Sequence, residues 1–189
     1  MPSCIHGEHV YLSTNVDVLV MHWKTGELIR KLNGLSHPQT IFVQDNEIFV
    51  VNFRDKVAVF DCATGCLQRC IDINVSDDVF GSPRGVVASG NELSVSFHND
   101  NCIIVFNRDT GATVRTLRHA CVKQPWDLAL SSRGELVVMC WKHVVVFSHR
   151  TIHLDDALWT WDLTPFLKAA VTLMVAAKRS VYQVLRIST

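Results

Sequence analysis

Pro83-Arg84-Gly85-Val86-Val87-Ala88, Glu92-Leu93-Ser94-Val95-Ser96-Phe97, Ile103-Ile104-Val105-Phe106 and Thr113-Val114-Arg115-Thr116-Leu117 follow one another as four short strand-forming runs. Val86, Val87 and Ala88 form a continuous apolar run, as suits a strand buried on both faces. Glu92 to Phe97 alternates polar with apolar, the pattern of a half-buried strand. Ser89-Gly90-Asn91, His98-Asn99-Asp100-Asn101 and Asn107-Arg108-Asp109-Thr110-Gly111 separate the runs with residues that tolerate tight turns.

The same unit recurs on both sides. Pro38-Gln39-Thr40-Ile41-Phe42-Val43 leads to Glu47-Ile48-Phe49-Val50-Val51 and Val57-Ala58-Val59-Phe60. Pro125-Trp126-Asp127-Leu128-Ala129-Leu130 leads to Glu135-Leu136-Val137-Val138 and Val144-Val145-Val146-Phe147. A first copy, Glu8-His9-Val10-Tyr11-Leu12 and Val18-Leu19-Val20, reads as lacking its inner strand. Glu8, Glu47, Glu92 and Glu135 mark the copies at intervals of about 40 residues, the period of a β-propeller with one four-stranded blade per repeat. Thr25-Gly26, Thr64-Gly65 and Thr110-Gly111 sit at one position of three repeats, where glycine can take a positive φ without steric cost.

These motifs carry a resemblance. Pro83-Arg84-Gly85-Val86 through Gly90-Asn91-Glu92-Leu93 to Ile104-Val105-Phe106 resembles the NHL repeat, and the strand-Asp-x-x-Thr-Gly turn is similar to WD40-like propellers. The Gly-His and Trp-Asp pair of WD40 blades is missing, since Trp126-Asp127 and Trp161-Asp162 fall elsewhere in the repeat. The expected fold is therefore an all-β β-propeller of about four to five blades in a single domain, 1–189. The blade-like repeats lie near 5–32, 38–71, 83–117, 125–151 and 165–187. The last of these reads either as a final blade hairpin, in register with Leu136 to Phe147, or as a helix entered at Thr164-Pro165. Imperfect first and last copies leave either a small irregular ring or part of a larger propeller, and an open ring predicts self-association through blade edges.

Composition narrows the function. The chain has 189 residues, is 48% hydrophobic and 19% charged, and balances 18 basic against 18 acidic residues. That balance argues against a broad attraction to polyanions or anionic membrane. No apolar run reaches spanning length, and a protein of the cytoplasm or nucleus is expected. Seven cysteines fit reduced thiols, with Cys102 and Cys140 as core residues. Cys62, Cys66 and Cys70 lack the closer pairing of structural zinc sites. Asp77-Asp78 and Asp155-Asp156 read as solvated loop acids. Trp141, Trp159 and Trp161 read as packing between blades or beneath a long loop; base stacking is the alternative and needs exposed rings beside basic groups.

Blade topology sorts the loops. Turns between strands two and three share one face with the entries to strand one, and the Thr-Gly turns lie on the other. The first face gathers His37, Arg54, Lys56, Arg84, His98, Trp126, Lys142, His143 and Arg179, a basic-leaning set with the residue types that anchor binding surfaces. Ordinary solvated turn residues are the alternative reading. No catalytic motif, metal set or cofactor is indicated. The expected function is a non-catalytic scaffold that presents this face to a protein partner. RNA is the second partner class, implied by the NHL resemblance. A partial propeller hydrolase with a calcium-bound channel is the third reading.

Overall fold

A computed structural model describes residues 3–52, 56–73, 82–147 and 159–162. It is a four-bladed β-propeller arrangement in which each blade is an antiparallel, sequentially ordered four-stranded sheet. Blade 1 is β1 (Ser3–His6), β2 (His9–Ser13), β3 (Val18–His22) and β4 (Leu28–Leu32). Blade 2 is β5 (Thr40–Gln44), β6 (Glu47–Asn52), β7 (Lys56–Asp61) and β8 (Leu67–Asp72). Blade 3 is β9 (Pro83–Ser89), β10 (Glu92–Phe97), β11 (Cys102–Asn107) and β12 (Thr113–Arg118). Blade 4 is β13 (Asp127–Leu130), β14 (Leu136–Met139), β15 (His143–Phe147) and β16 (Trp159–Asp162). The inner strands pack in the order β1, β5, β9, β13.

Each blade buries alternate residues on each face, so consecutive sheets share a core. Tyr11, Val18, Val20 and Leu32 of blade 1 pack on Ile41, Ile48, Val50 and Phe60 of blade 2. The other face of blade 2, with Phe49, Val57 and Val59, packs on Val86, Leu93, Val95 and Phe106 of blade 3. Val87, Ile103 and Val105 then meet Leu128, Val138 and Val145 of blade 4. Among the described residues, no buried cluster joins blade 4 to blade 1. Cys102 and Cys140 are core residues, and burial pushes the Cys102 thiol up to about 11.

The Thr-Gly turns behave as their spacing predicts. Gly26, Gly65 and Gly111 have φ of 71°, 71° and 73°. In each turn the last residue of strand three accepts hydrogen bonds from the threonine three positions on. Asp61 Oδ1 accepts from the Thr64 N–H at 2.7 Å and its hydroxyl at 2.8 Å, and Asn107 Oδ1 accepts from the same groups of Thr110 at 2.8 and 3.0 Å. His22 Nδ1 takes this place in blade 1. A bulge precedes the turn in all three blades, at Val20/Met21, Val59/Phe60 and Val105/Phe106.

Three expectations change. Blade 1 has its inner strand: Ser3–His6 pairs with β2 around a turn at Gly7. That strand is largely exposed and lacks the apolar run that marks β9, so composition does not announce it. Glu8 is one residue out of register. His9 pairs with His22 as Glu47 pairs with Asp61 and Glu92 with Asn107, which leaves Glu8 in the turn. Blade 4 does not end near residue 151, because β16 supplies its outer strand against β15. The repeat expected at 165–187 lies outside the described residues, as do Arg54, Arg179, Asp77-Asp78 and Asp155-Asp156.

Candidate functional site

The entry to strand one is built alike in blades 2, 3 and 4. His37, Ser82 and Gln124 each precede a proline and each take left-handed backbone, with φ of 51°, 71° and 46°. A non-glycine residue pays for that conformation, so the surroundings must hold it. They do so through the neighbouring turns between strands two and three. The His37 N–H donates to the Asn15 carbonyl at 2.9 Å, and the Gln124 N–H donates to Asn101 Oδ1 at 2.7 Å. The Ser82 carbonyl accepts from the His98 N–H at 3.2 Å. Entries and turns therefore do share one face.

The residue after each proline then falls at one position in three successive blades: Gln39, Arg84 and Trp126. These side chains touch in sequence. Arg84 Nη1 donates to Gln39 Oε1 at 2.5 Å, and the Arg84 guanidinium lies 5.0 Å from the Trp126 ring centroid. Trp126 meets His98 edge-on at 4.7 Å and Trp141 at 6.4 Å. Gly85 sets this spacing: a Cβ there would meet the backbone of Leu128 and Asp127 at 2.6 and 2.8 Å. Its N–H donates to the buried Ser96 hydroxyl at 2.8 Å.

Beside this row, a cleft of about 530 Å³ opens between the tops of blades 3 and 4. Its lining includes His98, Asn101, Lys123, Trp141, Lys142 and His143. Trp141 is 61% exposed, so it does not pack between blades. Among the described residues, Arg84, Lys123 and Lys142 form no ion pair. His143 Nε2 is engaged by the Cys121 carbonyl, which makes it part of the cleft wall. Asp127 is solvent-accessible by area yet closely surrounded by protein, and that desolvation raises its carboxyl above the usual range.

The structure thus brings together Arg84, His98, Trp126, Lys142 and His143. His37 reaches the group through its carbonyl, which accepts from Gln39 Nε2 at 3.1 Å. Lys56 stands apart in blade 2, paired with Asp72 at 3.1 Å. Gln39 was missing from the expected set, although it follows Pro38 as Arg84 follows Pro83.

The opposite face also holds a hollow, of about 560 Å³, whose two arginines are both met by carboxylates, while Asp61 and Asp109 in its lining form no ion pair among the described residues. Arg69 and Arg108 both bind Glu47, at 2.5 and 2.7 Å, and Arg108 also reaches Asp45 at 3.1 Å. Burial alone would raise the Glu47 carboxyl; the hydrogen bonds from Arg69 and Arg108 outweigh it and hold the group below its usual range. Arg115 grips Glu92 in the corresponding way in blade 3. Among the described residues, no group of three or more His, Cys, Asp or Glu side chains is gathered as metal ligands would be.

The sequence matches no family model and no curated protein. Among solved structures, the chain is similar to the WD40 β-propeller domain of Doa1, with 14% identity and a TM-score of 0.66 over 86% of this chain and 53% of that one. It is also similar to the computationally designed protein Ika4, with 16% identity and a TM-score of 0.57 over 85% of this chain and 89% of that one. For the computationally designed Ika8 the values are 17% and 0.56, over 72% of this chain and 41% of that one. At these identities the likeness is one of fold. The chain spans about half or less of the Doa1 and Ika8 chains.

Proposed function

We propose that the chain is a non-catalytic interaction scaffold and that the Gln39–Arg84–Trp126 row, with Trp141 beside it, contacts a protein partner. The observation that carries this reading is the pairing of exposed aromatic surface with unneutralised cations on a braced frame. Trp126 and Trp141 are 38% and 61% exposed, next to three cations without ion pairs among the described residues. Tryptophan and arginine are the residue types that most often dominate binding energy at protein interfaces. A propeller suits the role because its sheets hold the loops rigidly while loop sequence varies freely. The resemblance to NHL and WD40-like repeats supports the same reading.

Affinity capture from native lysate tests it, with the wild-type chain and an Arg84→Ala/Trp126→Ala variant as parallel baits. Partners recovered by the wild type should be depleted at least ten-fold on the variant, which corresponds to about 1.4 kcal/mol of binding. Equal recovery of the same proteins by both baits overturns the assignment of this face.

A further inference from the structure

We propose that the cleft between blades 3 and 4 receives an acidic side chain of an extended peptide, with Lys123 and Lys142 on the carboxylate and the Trp126 and Trp141 indoles over its apolar neighbours. This rests on the protein-partner reading above and names the chemistry of the partner.

The lining of the cleft selects charge. It contains two lysines and two histidines and no carboxylate. The nearest acids along the chain, Asp100 and Asp127, stand outside that lining. Asp100 Oδ2 has no solvent-accessible surface, and Asp127 Oδ1 accepts from the Leu128 N–H at 2.9 Å.

The frame is fixed before a ligand arrives. Trp141 N–H donates to the Lys123 carbonyl at 3.4 Å, and the Gln124 N–H is held by Asn101. Trp126 N–H donates to the Met139 carbonyl at 2.7 Å, and the Cys140 N–H to the His143 carbonyl at 2.9 Å. These bonds tie the backbone bearing Lys123 to the turn bearing Lys142. A carboxylate between the two ammonium groups gains charge-assisted hydrogen bonds. Exposed ion pairs are individually weak, so affinity also needs apolar burial, and the two indoles supply a surface for it.

The same observations favour a peptide over a nucleic acid. A single strand is held by a cationic groove that follows its backbone over several nucleotides. Here Arg84, Lys123 and Lys142 cluster at one blade junction, Arg118 of blade 3 donates to the Asp100 carbonyl at 3.1 Å, and Lys56 in blade 2 is taken by Asp72. The chain as a whole carries no net charge.

The test is selection of phage-displayed random dodecapeptides on the full chain and on its Lys123→Glu/Lys142→Glu variant. The wild type should enrich Asp or Glu at a fixed position beside apolar or aromatic residues, and the variant should lose that preference and favour Lys or Arg. A selected peptide, labelled with fluorescein, should bind the variant at least ten-fold more weakly, and its Gln-for-Glu version should lose a similar factor on the wild type. Both lysines are exposed, so circular dichroism should report an unchanged fold; if charge reversal unfolds the chain, Lys123→Gln/Lys142→Gln gives the same readout. Acidic enrichment that persists on the variant overturns the proposal. So does displacement of the selected peptide by a ten-nucleotide oligouridylate at lower concentration than by the unlabelled peptide. Enriched peptides that lack acids but depend on Trp126 overturn the acidic preference alone and leave the protein-partner reading standing. A selection that enriches nothing overturns the acidic-peptide proposal and leaves the protein-partner reading to the capture experiment.

Discussion

The two faces of this propeller use the same kinds of residue for opposite ends. On the Thr-Gly face, Arg69, Arg108 and Arg115 are met by carboxylates, and Arg108 crosses from blade 3 to bind Glu47 and Asp45 of blade 2. Arg108 also stacks 5.1 Å from the Phe49 ring. On the entry face, Arg84 rests on an amide and an indole, and Lys123 and Lys142 line an open cleft. A cation whose partner lies within the fold acts as a fastener between blades. A cation held in place by neutral groups keeps its charge available to a ligand. The difference teaches that charge alone does not mark a binding face; the balance of partners does.

Gly85→Ala should break the comparison most severely, because it strikes the junction on which the entry face is built. The added Cβ meets backbone atoms of β13, which cannot rotate away as a side-chain end can. Blades 3 and 4 must separate, at a cost of about 3 kcal/mol, typical of the upper range for overpacking. Arg84 and Trp126 would move apart as well. Urea unfolding should show the loss of stability, and peptide binding should fall with it.

Glu47→Ala isolates the other face. It leaves Arg69 and Arg108, with side chains 30% and 13% exposed, without their shared carboxylate. The expected loss is about 2 kcal/mol, below the full penalty of a deeply buried pair because water reaches the site. Binding at the entry face should be unchanged. The pH dependence follows from the same pair. The folded-state Glu47 pKa lies below the unfolded one, so its contribution is fully present above the unfolded value near about 4.3 and is lost as pH falls through the folded value. The urea midpoint should drop in that window for the wild type and drop less for Glu47→Gln.

How much of this was legible in the sequence depends on what each residue must satisfy. Blade order, the Thr-Gly turns and the shared loop face follow from repeated local patterns, and those patterns are the same ones that form the strands. The inner strand Ser3–His6 was not legible because it is mostly exposed and pairs through register instead of burial. Glu8 misled for a related reason. Blade 1 carries His9 at the glutamate position, so Arg30, which aligns with Arg69 and Arg115, donates instead to the Cys62 and Ala63 carbonyls of blade 2. Arg84 and Trp126 could be placed on the right face, but their contact is tertiary. Nothing local to either residue states that the position after the entry proline meets its counterpart in the next blade. The repeat register did contain that information, and Gln39 shows how it could have been read.

The smallest effect on stability, and the finest test of the comparison, is Trp141→Ser. Trp141 is 61% exposed, and its backbone N–H to Lys123 does not depend on the side chain. Removing the indole should change the unfolding free energy by no more than about 0.5 kcal/mol, the usual range for exposed positions. Binding should respond differently. If the indole covers an apolar neighbour of the bound acid, a fluorescein-labelled peptide selected on the wild type should lose roughly ten-fold in affinity, as an interface tryptophan typically does. Equal affinity with equal stability would show that the exposed indole is incidental, and would confine binding to Arg84, Trp126 and the lysines. A loss of stability larger than the loss of binding would place Trp141 with the Thr-Gly face residues, as part of the fastening of the blades.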